Sequence, residues 1–368
     1  MKIKSVALVS NNYWTLYKFR YDVINLFCKN DIKVYLIAKE DGYSKYFMND
    51  NIICNFVNFN ERKINIFNES YSLFNLARIL KRTNPDMVLN FTIKPNIYSG
   101  IVCKYLKIDY ISMITGLGYL FLQSNIFISF ITNKILRYAL SDAKKIWFTN
   151  NYDKDAFVKK NIVNKQNIEI MPGAGADFNI AKNFNKEPQD QVTFTMIARL
   201  LNEKGVFEFI EAAKYFHKYN KYRFVLVGLH KENNKHFISK DLLDNVVKKN
   251  IIQYKSFTDD INDYYKKTSC VVLPSYREGL STILLESAVL RIPIITTRVP
   301  GCQDIIPNEN YGFLCNPKSI DSLIETMENF INTDVQDILS KTEKTYDHVK
   351  INFSRDSVLK KYRNMFNF

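Results

Sequence analysis

An alternation that runs twice along the chain constrains its fold more than any other feature. Short, apolar, β-branched runs of strand length are separated by longer amphipathic runs of helix length. In the first half the strand candidates are residues 5–9, 34–37, 52–57, 87–91, 110–115, 145–149 and 168–171. Helix-length segments lie between several of them, at 70–82, 97–106, 126–140 and 153–160. Nearly continuous apolar strands separated by such segments indicate βαβ units and a parallel sheet covered on both faces.

The pattern restarts after a polar stretch at 182–190 that contains Pro188, the best linker candidate. New strand candidates follow at 192–198, 223–227, 252–256, 270–273 and 292–296, with a weaker one at 313–315. Helical segments at 205–219, 242–249, 261–266 and 282–290 alternate with them, and residues 320–368 are helix-rich. A chain of 368 residues is long enough for two such domains. The expectation is an α/β protein of two Rossmann-like domains, 1–182 and 183–352, with parallel sheets facing a central cleft. Doubly wound sheets bind ligands outside the carboxyl ends of their strands, so the informative residues are those just after a strand.

The most informative stretch is Pro274-Ser-Tyr-Arg-Glu-Gly-Leu-Ser-Thr-Ile-Leu-Leu-Glu-Ser-Ala288. A buried strand ends at Leu273, and a hydroxyl at Ser281 or Thr282 suits a helix cap. Gly279 permits close backbone approach to a ligand. The amides of Gly279, Leu280 and Ser281 lie at a helix start, where anions such as a diphosphate are favoured. Glu278 and Glu286 flank that start, and carboxylates accept from paired hydroxyl donors such as sugar or ribose diols. Alone, two such glutamates read as solvated surface residues; their place between two buried strands argues for a site.

A second strand end, Ile197-Ala-Arg-Leu-Leu-Asn-Glu-Lys-Gly205, carries Arg199 and Lys204. Two cations there can hold a diphosphate and stabilise it as negative charge develops. In the first half, Phe91-Thr-Ile-Lys-Pro-Asn-Ile-Tyr-Ser-Gly100 places Lys94 after one strand, and Thr115-Gly-Leu-Gly-Tyr-Leu-Phe121 places Thr115, Gly116 and Gly118 after the next. Asn11 follows the first strand in Ser10-Asn-Asn-Tyr13, which lacks the glycines of a dinucleotide fingerprint. The absence of Gly-x4-Gly-Lys-Ser/Thr likewise argues against a P-loop enzyme. His230, two positions after Gly228 at a strand end, is a further cleft candidate.

Charge enters as a pointer to partners. Residues 1–180 hold 24 Lys and Arg against 14 Asp and Glu, a net of +10 out of +14 for the chain. Such a face attracts phosphorylated substrates, anionic membrane or nucleic acid. Nucleic acid is the weakest of these, because the basic residues are dispersed rather than interleaved with aromatics along one face. The six cysteines lack metal-ligand or disulfide-framework spacing and suit a reducing, cytoplasmic compartment. The most apolar region, 110–140, is interrupted by glycines and polar residues and falls short of a spanning helix, which leaves peripheral membrane contact.

Arg199…Lys204-Gly205 with Glu278-Gly-Leu-Ser…Glu286 resembles the carboxyl-terminal signature of retaining GT-B glycosyltransferases of family 4. Thr92-Ile-Lys-Pro-Asn96 and Thr115-Gly-Leu-Gly118 are similar to the branch that builds bacterial capsule and O-antigen. The resemblance implies that Arg199 and Lys204 bind the donor diphosphate, Glu278 the transferred sugar and Glu286 the ribose. Gly228 and residues 254–258 would border the base. Asn11, Lys94, Thr115, Gly116 and Gly118 would serve the acceptor or line the cleft. It further implies a final helix, within 353–368, packing back on the first domain. No cofactor and no divalent metal would be needed. The donor would be a UDP-sugar, and the acceptor a polyprenyl-diphosphate-linked glycan at the inner, anionic face of the cell membrane. A UDP-sugar 2-epimerase on the same fold is the alternative enzyme, although no cluster of extra carboxylates and a His supports it.

Overall fold

The computed structural model describes residues 3–59, 66–116, 126–231, 234, 236–256, 258 and 261–368. They form two compact units, Met1–Ala174 with Val358–Phe368, and Gly175–Ser357.

In the first unit β1 (Ser5–Asn12), β2 (Lys33–Lys39), β3 (Ile52–Phe56), β4 (Met87–Phe91), β5 (Tyr110–Ile114), β6 (Lys145–Phe148) and β7 (Ile168–Ile170) make a sheet of order β3-β2-β1-β4-β5-β6-β7. Every pairing in it is parallel. The crossovers are α1 (Tyr13–Cys28), α2 (Ile66–Thr83), α3 (Ile93–Leu106), α4 (Ile126–Leu140) and α5 (Asn151–Lys159). Two apolar layers result. Val88, Tyr110, Ile146 and Phe148 pack on one face with Leu80, Cys103 and Leu136. Leu8, Leu89, Met113 and Trp147 pack on the other with Leu16, Ile24 and Phe27.

Helix α1 is one that residue pattern does not announce. Its sequence is rich in aromatic and β-branched residues, which favour strands. The helix forms because Asn12 caps it, its side chain accepting from the Thr15 amide at 3.0 Å, and because Tyr13, Leu16 and Ile24 are completely buried. Helix α3 begins at Ile93, four residues before the expected 97. Pro95 marks no loop there: it sits in the first turn, where a missing N–H costs nothing.

The second unit repeats the plan. Strands β8 (Val192–Ile197), β9 (Tyr222–Val227), β10 (Gln253–Lys255), β11 (Cys270–Leu273), β12 (Ile294–Thr297) and β13 (Phe313–Cys315) form a parallel sheet of order β10-β9-β8-β11-β12-β13. Its helices are α6 (Val206–His217), α7 (Lys240–Lys248), α8 (Asn262–Lys266), α9 (Thr282–Val289), α10 (Ile320–Asn332) and α11 (Val335–Phe353). In both sheets strand order reverses beside the first strand of the unit, between β1 and β4 and between β8 and β11, which is where doubly wound folds hold ligands.

The last helix, α12 (Arg355–Phe366), contributes Val358, Tyr362 and Phe366 to the first unit's core. The Tyr362 ring meets Trp147 edge-on at 5.1 Å, and Phe366 meets Phe27 at the same centroid distance. The boundary expected at 182 lies inside the second unit, which starts at Gly175. Ala176 bridges Ser354 in parallel, its amide donating to the Phe353 carbonyl at 2.7 Å, and Arg355 pairs with Asp177 at 3.0 Å. The polar stretch 182–190 is tied to the same unit where the Glu187 amide donates to the Lys266 carbonyl.

Candidate functional site

Two of the residues singled out in the second unit, Lys204 and Glu278, meet at its reversal point. β8 delivers Arg199 and Lys204; β11 delivers the segment 274–281. Lys204 Nζ lies 2.6 Å from Glu278 Oε1, and Ser275 Oγ donates to the same oxygen at 2.7 Å. The pair is partly shielded, with side-chain exposures of 18% and 10%, so its attraction is screened less than that of a surface pair. Arg199 stands at the same strand end and is exposed.

The carrier loop is knitted to the sheet behind it. Thr296 Oγ1 donates to the Leu273 carbonyl at 2.8 Å, the Tyr276 amide donates to the Glu203 carbonyl at 2.9 Å, and Tyr276 OH donates to Glu208 Oε1 at 2.6 Å. Burial and the adjacent Glu208 carboxylate push the Tyr276 phenol up, which keeps it a donor. Ser281 caps α9, its Oγ accepting from the Leu284 amide at 3.4 Å, so Gly279, Leu280 and Ser281 do precede a helix start.

Glu286, on α9, accepts from Tyr265 OH at 3.0 Å. Gly228 follows β9 with φ +153°, and a Cβ there would lie 1.7 Å from the Ala198 carbonyl oxygen, so only glycine lets the two strand ends lie together. Its amide donates to the Lys255 carbonyl, and Tyr254 OH donates to the Gly228 carbonyl at 3.1 Å. His230 Nε2 is bonded to the Ile238 carbonyl at 2.9 Å, an anchoring contact within the chain.

Residue reading missed two contributors here. Gly301, with φ +81°, backs Glu278 so closely that a Cβ would sit 2.4 Å from the Glu278 carbonyl oxygen. Tyr265 carried no signal beyond its place in the helical segment 261–266.

In the first unit the candidates lie at the carboxyl ends of β1, β4 and β5. Asn11, expected just after the first strand, lies within it as the penultimate residue of β1, because pairing with β2 extends to Asn12; Thr115 and Gly116 follow β5 and are partly buried. Gly118 lies outside the described residues. Lys94 departs from its expected role as an available cation: it sits in the first turn of α3 and pairs with Glu69 at 2.7 Å. Polar groups not singled out surround this end. Ser10, Asn90, Thr92, Asn96, Ser112 and Thr149, together with Asn11, each hold a buried polar atom without a hydrogen-bond partner among the described residues. Thr92, which opens α3, has φ +72° and ψ 165°, a region nearly reserved for glycine. These polar groups and the strained backbone at Thr92 gather at the strand ends of the reversal point, the place where doubly wound folds hold ligands.

Comparisons with known proteins agree with this division. Residues 5–150 match the family model of glycosyl transferase 4-like domains, and residues 177–346 that of glycosyl transferases group 1. The chain is 25% identical over 339 residues to the N,N'-diacetylbacillosaminyl-diphospho-undecaprenol alpha-1,3-N-acetylgalactosaminyltransferase of Campylobacter jejuni, covering 87% of each chain. It is 27% identical to the UDP-Gal:alpha-D-GlcNAc-diphosphoundecaprenol alpha-1,3-galactosyltransferase of Escherichia coli, covering 83% of this chain and 82% of that one. Among solved structures, HepE of Anabaena in complex with UDP and glucose superposes with a TM-score of 0.80 at 13% identity over 99% of both chains.

Proposed function

Because the chain belongs to the glycosyltransferases, joining a glycosyl transferase 4-like domain to a glycosyl transferases group 1 domain, we propose that it moves a hexose or N-acetylhexosamine from a UDP-sugar to a lipid-diphosphate-linked saccharide during assembly of a bacterial surface polysaccharide, capsule or O-antigen. The observation that carries this reading is the Lys204–Glu278 pair at the reversal point of the second sheet, with Arg199 at the same strand end. The relatives from Campylobacter jejuni and Escherichia coli are named for diphosphate-linked undecaprenol sugars, and HepE holds UDP and glucose, which favours this donor and acceptor class.

In this reading Lys204 exchanges partners. Without donor it neutralises Glu278; an entering diphosphate competes for the ammonium with Arg199 beside it. Glu278 then accepts from hydroxyls of the sugar, and Glu286 from the ribose. The sugar C1–O bond to the diphosphate breaks as the two cations stabilise the departing charge. The acceptor oxygen bonds C1 on the face the diphosphate leaves, and its proton passes to the leaving phosphate oxygen. Configuration is retained, and the two cations take the part a divalent metal would play.

The orphaned polar groups around Thr92 and Asn90 suit the hydroxyls and amides of the acceptor saccharide. No described helix is long and apolar enough to cross a membrane. Helix α4 nonetheless exposes Phe130, Ile131, Ile135 and Tyr138. Lys134 stands over the Phe130 ring and Lys104 over that of Tyr138. Apolar side chains rimmed by cations suit peripheral contact with an anionic inner leaflet.

The test is a panel of nucleotide sugars, each incubated with the protein alone and with a polyprenyl-diphosphate-linked acceptor. Slow hydrolysis of one UDP-sugar, accelerated transfer with acceptor and a retained anomeric configuration are expected. Failure to turn over any nucleotide sugar, or release of an epimerised nucleotide sugar without acceptor, rejects the reading.

A further inference from the structure

We propose that Tyr265 is a positioning residue for donor recognition, its buried hydroxyl holding the Glu286 carboxylate in the orientation that selects ribose over deoxyribose. This rests on the assignment of Glu286 to the ribose of the donor.

Tyr265 is 1% exposed, so it acts through another group rather than on a ligand. Its hydroxyl donates to Glu286 Oε2 at 3.0 Å across 21 residues of sequence. Glu286 itself is partly exposed on α9, eight positions after Glu278. A carboxylate oxygen has two lone pairs, so one fixed by the phenol can still accept from a ligand diol. A glutamate has several rotatable bonds, and a diol needs both acceptor sites in place at once; fixing one oxygen removes that conformational cost from binding.

The phenol is well placed to act as a rigid post. Its backbone amide donates to the Ile261 carbonyl, and its carbonyl accepts from the Thr268 amide at 3.1 Å. Thr268 Oγ1 in turn donates to the Tyr264 carbonyl at 2.6 Å and is hydrogen-bonded at 2.7 Å to Thr195 Oγ1 on β8, whose hydroxyl can supply that proton. Tyr265 is thus coupled to the central strand that leads to Arg199, while its hydroxyl reaches the helix that starts beside Glu278. Burial and the Glu286 charge push the phenol well up from its ordinary value, so it stays protonated and remains a donor throughout the working pH range.

Tyr265→Phe removes only the hydroxyl and keeps the buried ring. Uridine diphosphate and 2′-deoxyuridine diphosphate are titrated calorimetrically into the wild type, Tyr265→Phe and Glu286→Ala. The wild type is expected to bind the ribonucleotide more tightly. Tyr265→Phe is expected to weaken it about tenfold, as for loss of a hydrogen bond to a charged group, while leaving the deoxynucleotide within twofold. With saturating donor, kcat is expected to change less than KM. Equal weakening of both nucleotides marks a merely structural role and overturns the proposal. So does unchanged discrimination in Tyr265→Phe when Glu286→Ala loses it, and in that case the ribose assignment survives. If Glu286→Ala discriminates like the wild type, the assignment of Glu286 fails and the proposal with it.

Discussion

Lys204 Nζ and Glu278 Oε1 stand 2.6 Å apart across 74 residues of sequence, joined because β8 and β11 are neighbours in the sheet. Lys204→Ala and Glu278→Ala are each expected to lower kcat by about a hundredfold or more, the scale of removing one group that meets developing charge. The melting temperature should fall only modestly, since each change removes one partner of a partly shielded pair at a cost of about 1–3 kcal/mol and leaves the fold intact. Initial rates and thermal melts check both. Activity within a few-fold of wild type in either variant removes that residue from the mechanism.

Gly301→Ala places a methyl group 2.8 Å from the Glu278 Cβ at a φ of +81°. The loop must shift, and about 1–3 kcal/mol of stability should be lost to backbone strain. Because displacement of a catalytic group is costly, kcat is expected to fall at least about tenfold. Chemical denaturation and steady-state kinetics measure the two effects separately.

Thr92→Gly should act in opposite directions on stability and on binding. It relieves a strained backbone at φ +72°, a gain of about 1–3 kcal/mol, partly offset by about 0.5–1 kcal/mol of glycine entropy. It also deletes Oγ1 from the polar end of the first sheet. A higher melting temperature with a raised acceptor KM and an unmoved donor KM is expected. An unmoved acceptor KM would take Thr92 out of the acceptor site.

Metal independence has a direct check. If Arg199 and Lys204 hold the diphosphate as proposed, exhaustive dialysis against EDTA should leave the initial transfer rate within about twofold, because that charge is covalently part of the chain. Loss of activity restored by added manganese or magnesium would overturn it.

Tyr362→Ala tests the return of the carboxyl-terminal helix. The ring is wholly buried against Phe27 and Trp147. Its deletion should cost about 3–5 kcal/mol, as for other buried aromatic truncations. Denaturation followed by tryptophan fluorescence in a Trp14→Phe background, which leaves Trp147 as the single tryptophan, reports on that environment.

Much of this architecture was legible in residue order. Parallel strands are apolar along their whole length, so runs such as Met87–Phe91 and Cys270–Leu273 declare themselves. Turn and cap chemistry is local as well, which is why Ser281 could be read as the start of a helix. Arg199, Lys204 and Glu278 stood out as candidates because they lie in the loops just after β8 and β11, and Glu286 because it follows Glu278 by eight positions on the next helix. Helix α1 was not, since burial of Tyr13 and Leu16 outweighs its weak propensity.

Sequence by itself therefore determined the two doubly wound sheets and the loops that carry the candidate chemistry, because hydrophobic period and helix-start signals act over a few residues. Tertiary structure alone decided the pairing of Lys204 with Glu278, the engagement of Lys94 by Glu69, the post that Tyr265 makes for Glu286 and the backing of Glu278 by Gly301. Those are contacts between segments far apart in the chain. Their geometry follows from strand order and side-chain packing, which no local pattern encodes.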